Sequence, residues 1–156
     1  MIEKKCSEKL EVFYMVFSLS ARHIFSMDRS ESFENLICWQ KAQELKKRLR
    51  KAVLPQLPSS ERFDLYSQIL RAAMSSTATI AEGWGRFHYL DSNRFYYNSR
   101  GSLAELLDHV LEAKDQNCLS DELYMDLRIQ ILEAIKVLNG FIFYLKREYL
   151  KSLNKS

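Results

Sequence analysis

The chain has 156 residues, 47% of them hydrophobic and 28% charged, enough for one compact domain with a real core and too polar for a membrane-embedded one. Four Gly and two Pro make about 4% of the chain where about 12% is average, which argues against turn-rich sandwiches and barrels and for an all-α fold. The formal net charge of +3 permits nucleic-acid contact without requiring it.

Residues 1–32 differ from the rest. The apolar run from Val12 to Leu19 is too short to cross a bilayer, and bordering Glu11, the Arg22 and His23 that follow and the lack of a clear small-x-small cleavage pattern argue against a signal peptide. This segment reads as an N-terminal extension, either disordered or an artefact of the start site, with the working domain over residues 33–156. Its acids and bases balance, so the positive excess belongs to that domain.

From Phe33 onward the periodicity predicts four helices. In the first, over 33–53, Leu36, Trp39, Ala42, Leu45, Leu49 and Val53 recur at steps of three and four until Pro55 and Pro58 remove backbone donors. Ser59 or Ser60 would cap the second, with Glu61 and Asp64 in its first turn and Tyr66, Ile69, Ala73, Ser76 and Ile80 as its seam, before Gly83 and Gly85 stop it. Asp91 or Ser92 would open the third, with Phe95, Ser99, Ser102, Leu106, Val110 and Ala113 buried and an end near Asn117. Ser120 would cap the fourth, whose seam is Leu127, Ile131, Ala134, Leu138, Phe141 and Leu145. Long helices on short connections favour an antiparallel up-down-up-down four-helix bundle. Cys6, Cys38 and Cys118 have no C-x-x-C spacing, which reads as reduced thiols in a cytoplasmic protein.

A second line runs one position off each central seam. On helix two it is Gln68, Arg71, Ser75, Ala78 and Glu82; on helix three it is Arg94, Asn98, Gly101, Glu105 and Asp108. Such a line suits a solvated face, but Gly101 costs about 1 kcal/mol relative to Ala in a helix and makes sense where another backbone comes close. An interface between copies through Gln68, Arg71, Ser75, Glu82, Arg100, Gly101 and Glu105 is therefore expected, with Arg71, Arg94 and Arg100 available to Glu82, Glu105 and Asp108.

These same residues carry a resemblance. QILRAAMSSTATIAEGWGR at 68–86 and RFYYNSRGSLAEL at 94–106 resemble the two signatures of the four-helix-bundle family of 23S rRNA intervening-sequence proteins. LICWQKAQEL at 36–45 and LPSSERFDLYSQ at 57–68 fit its first helix and first turn. Leu70, Ser76 and Thr79 depart from the pattern, which often has Arg, Ile and Asn there. The resemblance implies an up-down protomer assembled into a closed homo-pentamer, with no enzymatic activity and no cofactor. A more distant branch, the accessory variability proteins of diversity-generating retroelements, binds a reverse transcriptase and nucleic acid, so RNA and a reverse transcriptase are the implied partners.

In such a bundle, positive charge collects at two ends. Lys46, Lys47, Arg48, Arg50 and Lys51 lie at one, where Glu61, Asp64, Asp115, Asp121 and Glu122 are expected largely to cancel them. At the other end Arg86, Arg94, Lys146, Arg147, Lys151 and Lys155 meet fewer acids, with Trp84, Phe87 and Tyr89 among them. Aromatic rings beside Arg and Lys suit stacking plus phosphate contact, so Arg86, Arg94, Lys146, Arg147, Lys151 and Trp84 are the candidate RNA contacts. The same rings could instead close the end of the bundle. Five copies in a ring would raise the charge to about +15.

Catalytic readings are poor. His23, His88 and His109 are the only histidines, no Glu-x-x-His pair supports a di-iron site, and no G-x-S-x-G elbow occurs. Gly83-Trp84-Gly85 lacks the strand and the G-K-[ST] of a phosphate loop. An alternative without nucleic acid remains, a protein-interaction module whose partner docks on the fourth helix, where Ile135, Ile142 and Tyr144 widen the apolar arc.

Overall fold

The computed structural model describes residues 32–154 other than 59, 61–63 and 87; residues 1–31 of the N-terminal extension, with Cys6, and the expected helix-two residues Ser59 and Glu61, Phe87 and Lys155 lie outside the described residues. Four α-helices follow in order: α1 (Ile37–Ala52), α2 (Leu65–Trp84), α3 (Tyr89–Asp115) and α4 (Asp121–Leu153). No strand occurs among the described residues. Each helix packs on two others, α1 on α2 and α4, α3 on α2 and α4, so the four surround one core. The α2–α3 seam is the most extensive.

The 3-4 rhythm places the core with few exceptions. Leu49, Ile69, Ile80, Leu106, Val110, Leu127, Ile131 and Leu138 are almost wholly buried, each large aliphatic side chain contributing roughly 1.5–3 kcal/mol of transfer free energy. On α1, Cys38 occupies the seam with Ala42, Leu45 and Leu49, while the expected Trp39 is half-buried. Tyr96 replaces Phe95 in the core of α3, and Ile142 and Tyr144 replace Leu145 in that of α4. Tyr66 is only half-buried. In these places the interhelical contacts draw in a residue one or two positions away from a simple repeat.

Helix ends explain most boundary shifts. The predicted first helix is divided: Phe33–Asn35 form a 3₁₀ turn closed by the Leu36 N–H on the Phe33 carbonyl at 3.0 Å, and extended Leu36 precedes α1. Phe33 is held by edge-on packing against Trp39 and Trp84, with centroids 5.1 and 6.1 Å away. The second helix starts later than predicted, at Leu65, and Asp64 precedes it without a side-chain capping bond. The third starts earlier, at Tyr89, because the Ser92 hydroxyl donates back to the His88 and Arg86 carbonyls rather than capping. It ends at Asp115 in a Schellman arrangement: Asn117 takes φ 60° while Cys118 N–H reaches the Ala113 carbonyl at 2.9 Å. Ser120 caps α4 as its sequence predicts, accepting from Leu123 N–H.

Gly83 does not stop α2. The helix runs through it to Trp84, and Gly85 follows with helical φ. Gly83 is buried because Tyr96 and the Ser92 carbonyl lie where a side chain would begin. Close packing continues along the seam through small polar residues. Buried Ser99 donates to the Ser76 carbonyl at 2.7 Å, and Ser102 to the Ser75 hydroxyl at 2.8 Å.

Candidate nucleic-acid interface

The candidate RNA contacts occupy the end of α2, the first turns of α3 and the last turns of α4. Tyr89 of α3 stacks on Tyr149 of α4 with centroids 4.5 Å apart, which brings the latter two together. Burial is the first cause raising the Tyr89 pKa, followed by Tyr97 and Tyr149. Tyr89 is therefore a half-buried packing residue rather than a free stacking platform. Trp84 remains 40% exposed, with one edge against Phe33.

The five cations are not equivalent. Arg86 is enclosed by Glu82 at 2.5 Å and Asp91 at 3.8 Å, with its guanidinium 4.6 Å above the Phe95 ring. Arg147 and Lys151 share Glu148, at 3.3 and 2.9 Å. Glu148 has its pKa lowered chiefly by the Lys151 hydrogen bond, so it stays ionised and offsets charge there. Arg94 and Lys146 are exposed and meet no carboxylate among the described residues. This end carries less free charge than the sequence suggests, and Arg94 and Lys146 hold most of it.

The opposite basic cluster is less compensated than expected. Asp121 is held by Lys114 at 3.3 Å, and Asp126 of α4 pairs with Arg48. Asp64, Asp115 and Glu122 form no ion pair with α1 among the described residues, and Glu61 lies outside them. The sequence could not show this, because which acid faces which base depends on how α1 lies against α4.

The expected interface line is solvent-facing in its larger part. Arg71, Ala78, Glu82, Arg94, Asn98, Arg100, Gly101, Glu105 and Asp108 are exposed, while Gln68 and Ser75 are half-buried. Nothing lies within 4 Å of where a Gly101 side chain would start. Within the protomer Glu82 is already engaged by Arg86. The docking face expected at Ile142 and Tyr144 is corrected, because both side chains are in the core. Met125, Ile129, Leu132, Phe143 and Leu150, each 39–59% exposed, instead share the outward face of α4 over roughly 40 Å, interrupted by exposed Lys136 and Asn139 between Leu132 and Phe143. Their spacing was visible in the sequence, but periodicity alone does not say which apolar face a helix turns inward.

Among the described residues no group of three or more His, Cys, Asp or Glu is placed to hold a metal ion, and no helix is long and apolar enough to cross a membrane. The family model described as 23S rRNA-intervening sequence protein matches residues 34–140. The chain belongs to this family. No curated protein matches it. The match to the intervening-sequence proteins takes in α1 to α3 and most of α4, including both signature segments, which meet along the α2–α3 seam. It ends before Lys146, Arg147 and Lys151. Two departures from the family pattern are accommodated in place: Ser76 donates to the Ala73 carbonyl at 2.9 Å and receives Ser99 on its own carbonyl, and Thr79 donates to the Ser75 carbonyl at 2.7 Å.

Proposed function

We propose that this intervening-sequence protein is a non-catalytic, oligomeric scaffold that binds RNA or a ribonucleoprotein. The carrying observation is the pair Arg94 and Lys146, exposed and without carboxylate partners among the described residues, on the helices joined by the Tyr89–Tyr149 stack and near half-exposed Trp84. Two free cations make a weak protomer. A closed ring of five, with Gln68, Arg71, Ser75, Glu82, Arg100, Gly101 and Glu105 as its contact and Arg94 left outside it, would repeat the patch and make weak contacts avid. An antiparallel, up-down course is part of this reading. It is supported by the pairing of Gly83 with Tyr96, Ser76 with Ser99 and Ser75 with Ser102, and of Lys41 with Glu133 and Arg48 with Asp126.

Fluorescence anisotropy with a structured RNA over a range of salt tests the proposal. The expected result is binding that weakens steeply as salt rises, and further when Arg94 and Lys146 are both changed to Glu. Undiminished affinity in that double variant would remove this end as the contact.

The apolar outward face of α4 favours a second reading, a protein-interaction module in which a partner covers Ile129, Leu132 and Phe143. A reverse transcriptase, the partner of the retroelement branch that the sequence resembles, would be one such protein. Partner capture that persists at high salt and fails in Ile129→Lys would support it, whereas salt-sensitive RNA binding alone would not.

A further inference from the structure

The last turns of α1 present Lys46, Lys47, Arg48, Arg50 and Lys51, five cations in six consecutive residues. Beside them, between α1 and α4, lies a groove of about 580 Å³ lined by Glu44, Lys47, Arg48, Lys51, Ala52 and Gln130. Its flank is fixed by Arg48 on one carboxylate oxygen of Asp126 and the Gln130 amide on the other at 3.1 Å. Both oxygens of Asp126 are thus engaged within the protein. Lys47, Arg50 and Lys51 are exposed and have no ion pair among the described residues.

A helix C-terminus attracts cations by its dipole, but the effect fades beyond the last turn. Arg50 and Lys51 are in that turn; Lys47 is a turn earlier, so capping does not account for the cluster. Lys46, whose ammonium donates to Thr77 at 2.9 Å, has its pKa lowered first by burial and then by Arg50 and Lys47. Of the two acids at this groove Asp126 is taken by Arg48, which leaves Glu44 against Lys47, Arg50 and Lys51, so a net positive charge remains and an anion arriving there would relieve like-charge repulsion.

We infer that this α1–α4 groove is a second, separate RNA contact, which takes the phosphate backbone on Lys47 and Lys51 of its lining and on exposed Arg50 next to them on α1, without reading bases. The groove is open and lined by no aromatic ring, so it offers charge along a surface rather than a stacking pocket or an enclosed site for a small anion. Backbone contacts of this kind position a nucleic acid and are independent of sequence. The inference rests on the RNA-binding reading above and gives it a second point of attachment.

Binding of a short oligouridine to the full chain, measured across salt concentrations, separates the possibilities. Each lost single-strand phosphate contact flattens the log–log salt slope by about 0.7, so Lys47→Gln, Arg50→Gln and Lys51→Gln together should flatten it by about 2 and weaken binding at low salt by tenfold or more. The charge-preserving set Lys47→Arg, Arg50→Lys and Lys51→Arg should keep both. All three positions are exposed, so both sets should fold, the charge-preserving set with an unchanged thermal midpoint and the neutral set with at most a small fall from the charges lost at the end of α1. If the wild type binds and the neutral triple keeps its affinity and slope, this groove is not a contact while the RNA-binding reading survives through Arg94 and Lys146. If the wild type binds no RNA at any salt, both fall.

Discussion

Cys38 shows how much one buried residue depends on its surroundings. It is free, 3% exposed, and burial pushes its thiol up to about 12 from an ordinary 9.0. In the native protein it therefore stays neutral where the unfolded chain already ionises. Its contribution to stability is complete below pH 9 and declines as pH rises from 9 toward 12, because the unfolded state then releases the proton first. Chemical denaturation between pH 8 and 11 should show a fall in stability that is shallower in Cys38→Ala. The half-buried Cys118 should react with a thiol reagent in the native state, and Cys38 only after unfolding. Equal labelling rates at the two sites would contradict this burial. That Cys38 rather than Trp39 enters the core was not legible in the sequence, since both positions suit the 3-4 rhythm and the packing of Phe33 on Trp39 decides between them.

At the scale of the element, α2 and α3 approach closely because small residues meet along the seam. A Cβ at Gly83 would stand 2.7 Å from a Tyr96 ring carbon and 3.1 Å from the Ser92 carbonyl. Tyr96 cannot readily yield, being buried and packed edge-on against Phe141 with centroids 5.1 Å apart. Gly83→Ala should therefore lower stability by roughly 1–3 kcal/mol through overpacking, despite its better helix propensity. At Gly85 the nearest atom is 3.5 Å away, so Gly85→Ala should be near neutral. Thermal melts of the two variants give the comparison, and equal midpoints would contradict the close approach. In the local sequence both glycines suit a helix stop, and Gly85 does follow the last helical residue, but the cause at Gly83 is a residue on the next helix.

For the whole molecule the decisive position is Gly101. A side chain there meets nothing within 4 Å in the protomer, so Gly101→Leu should leave the fold intact and gain up to about 1 kcal/mol of helix propensity. If the proposed ring packs through this surface, light scattering after gel filtration should show the variant as smaller species than the wild type. An unchanged assembly would exclude Gly101 from the contact. The four helices, most of their core seams, the Ser120 cap and the family signatures were all legible in the sequence, because helix periodicity, capping and motif spacing are properties of neighbouring residues. Which charges remain free was decided only by the tertiary structure. Glu148 offsets one of the two charges of Arg147 and Lys151 locally, but Arg48 finds Asp126 on another helix, and Asp121, expected to quench α1, pairs with Lys114. Ion pairing falls off within a few ångströms, and distances between residues far apart in the chain are set by how the helices cross, which no local pattern records.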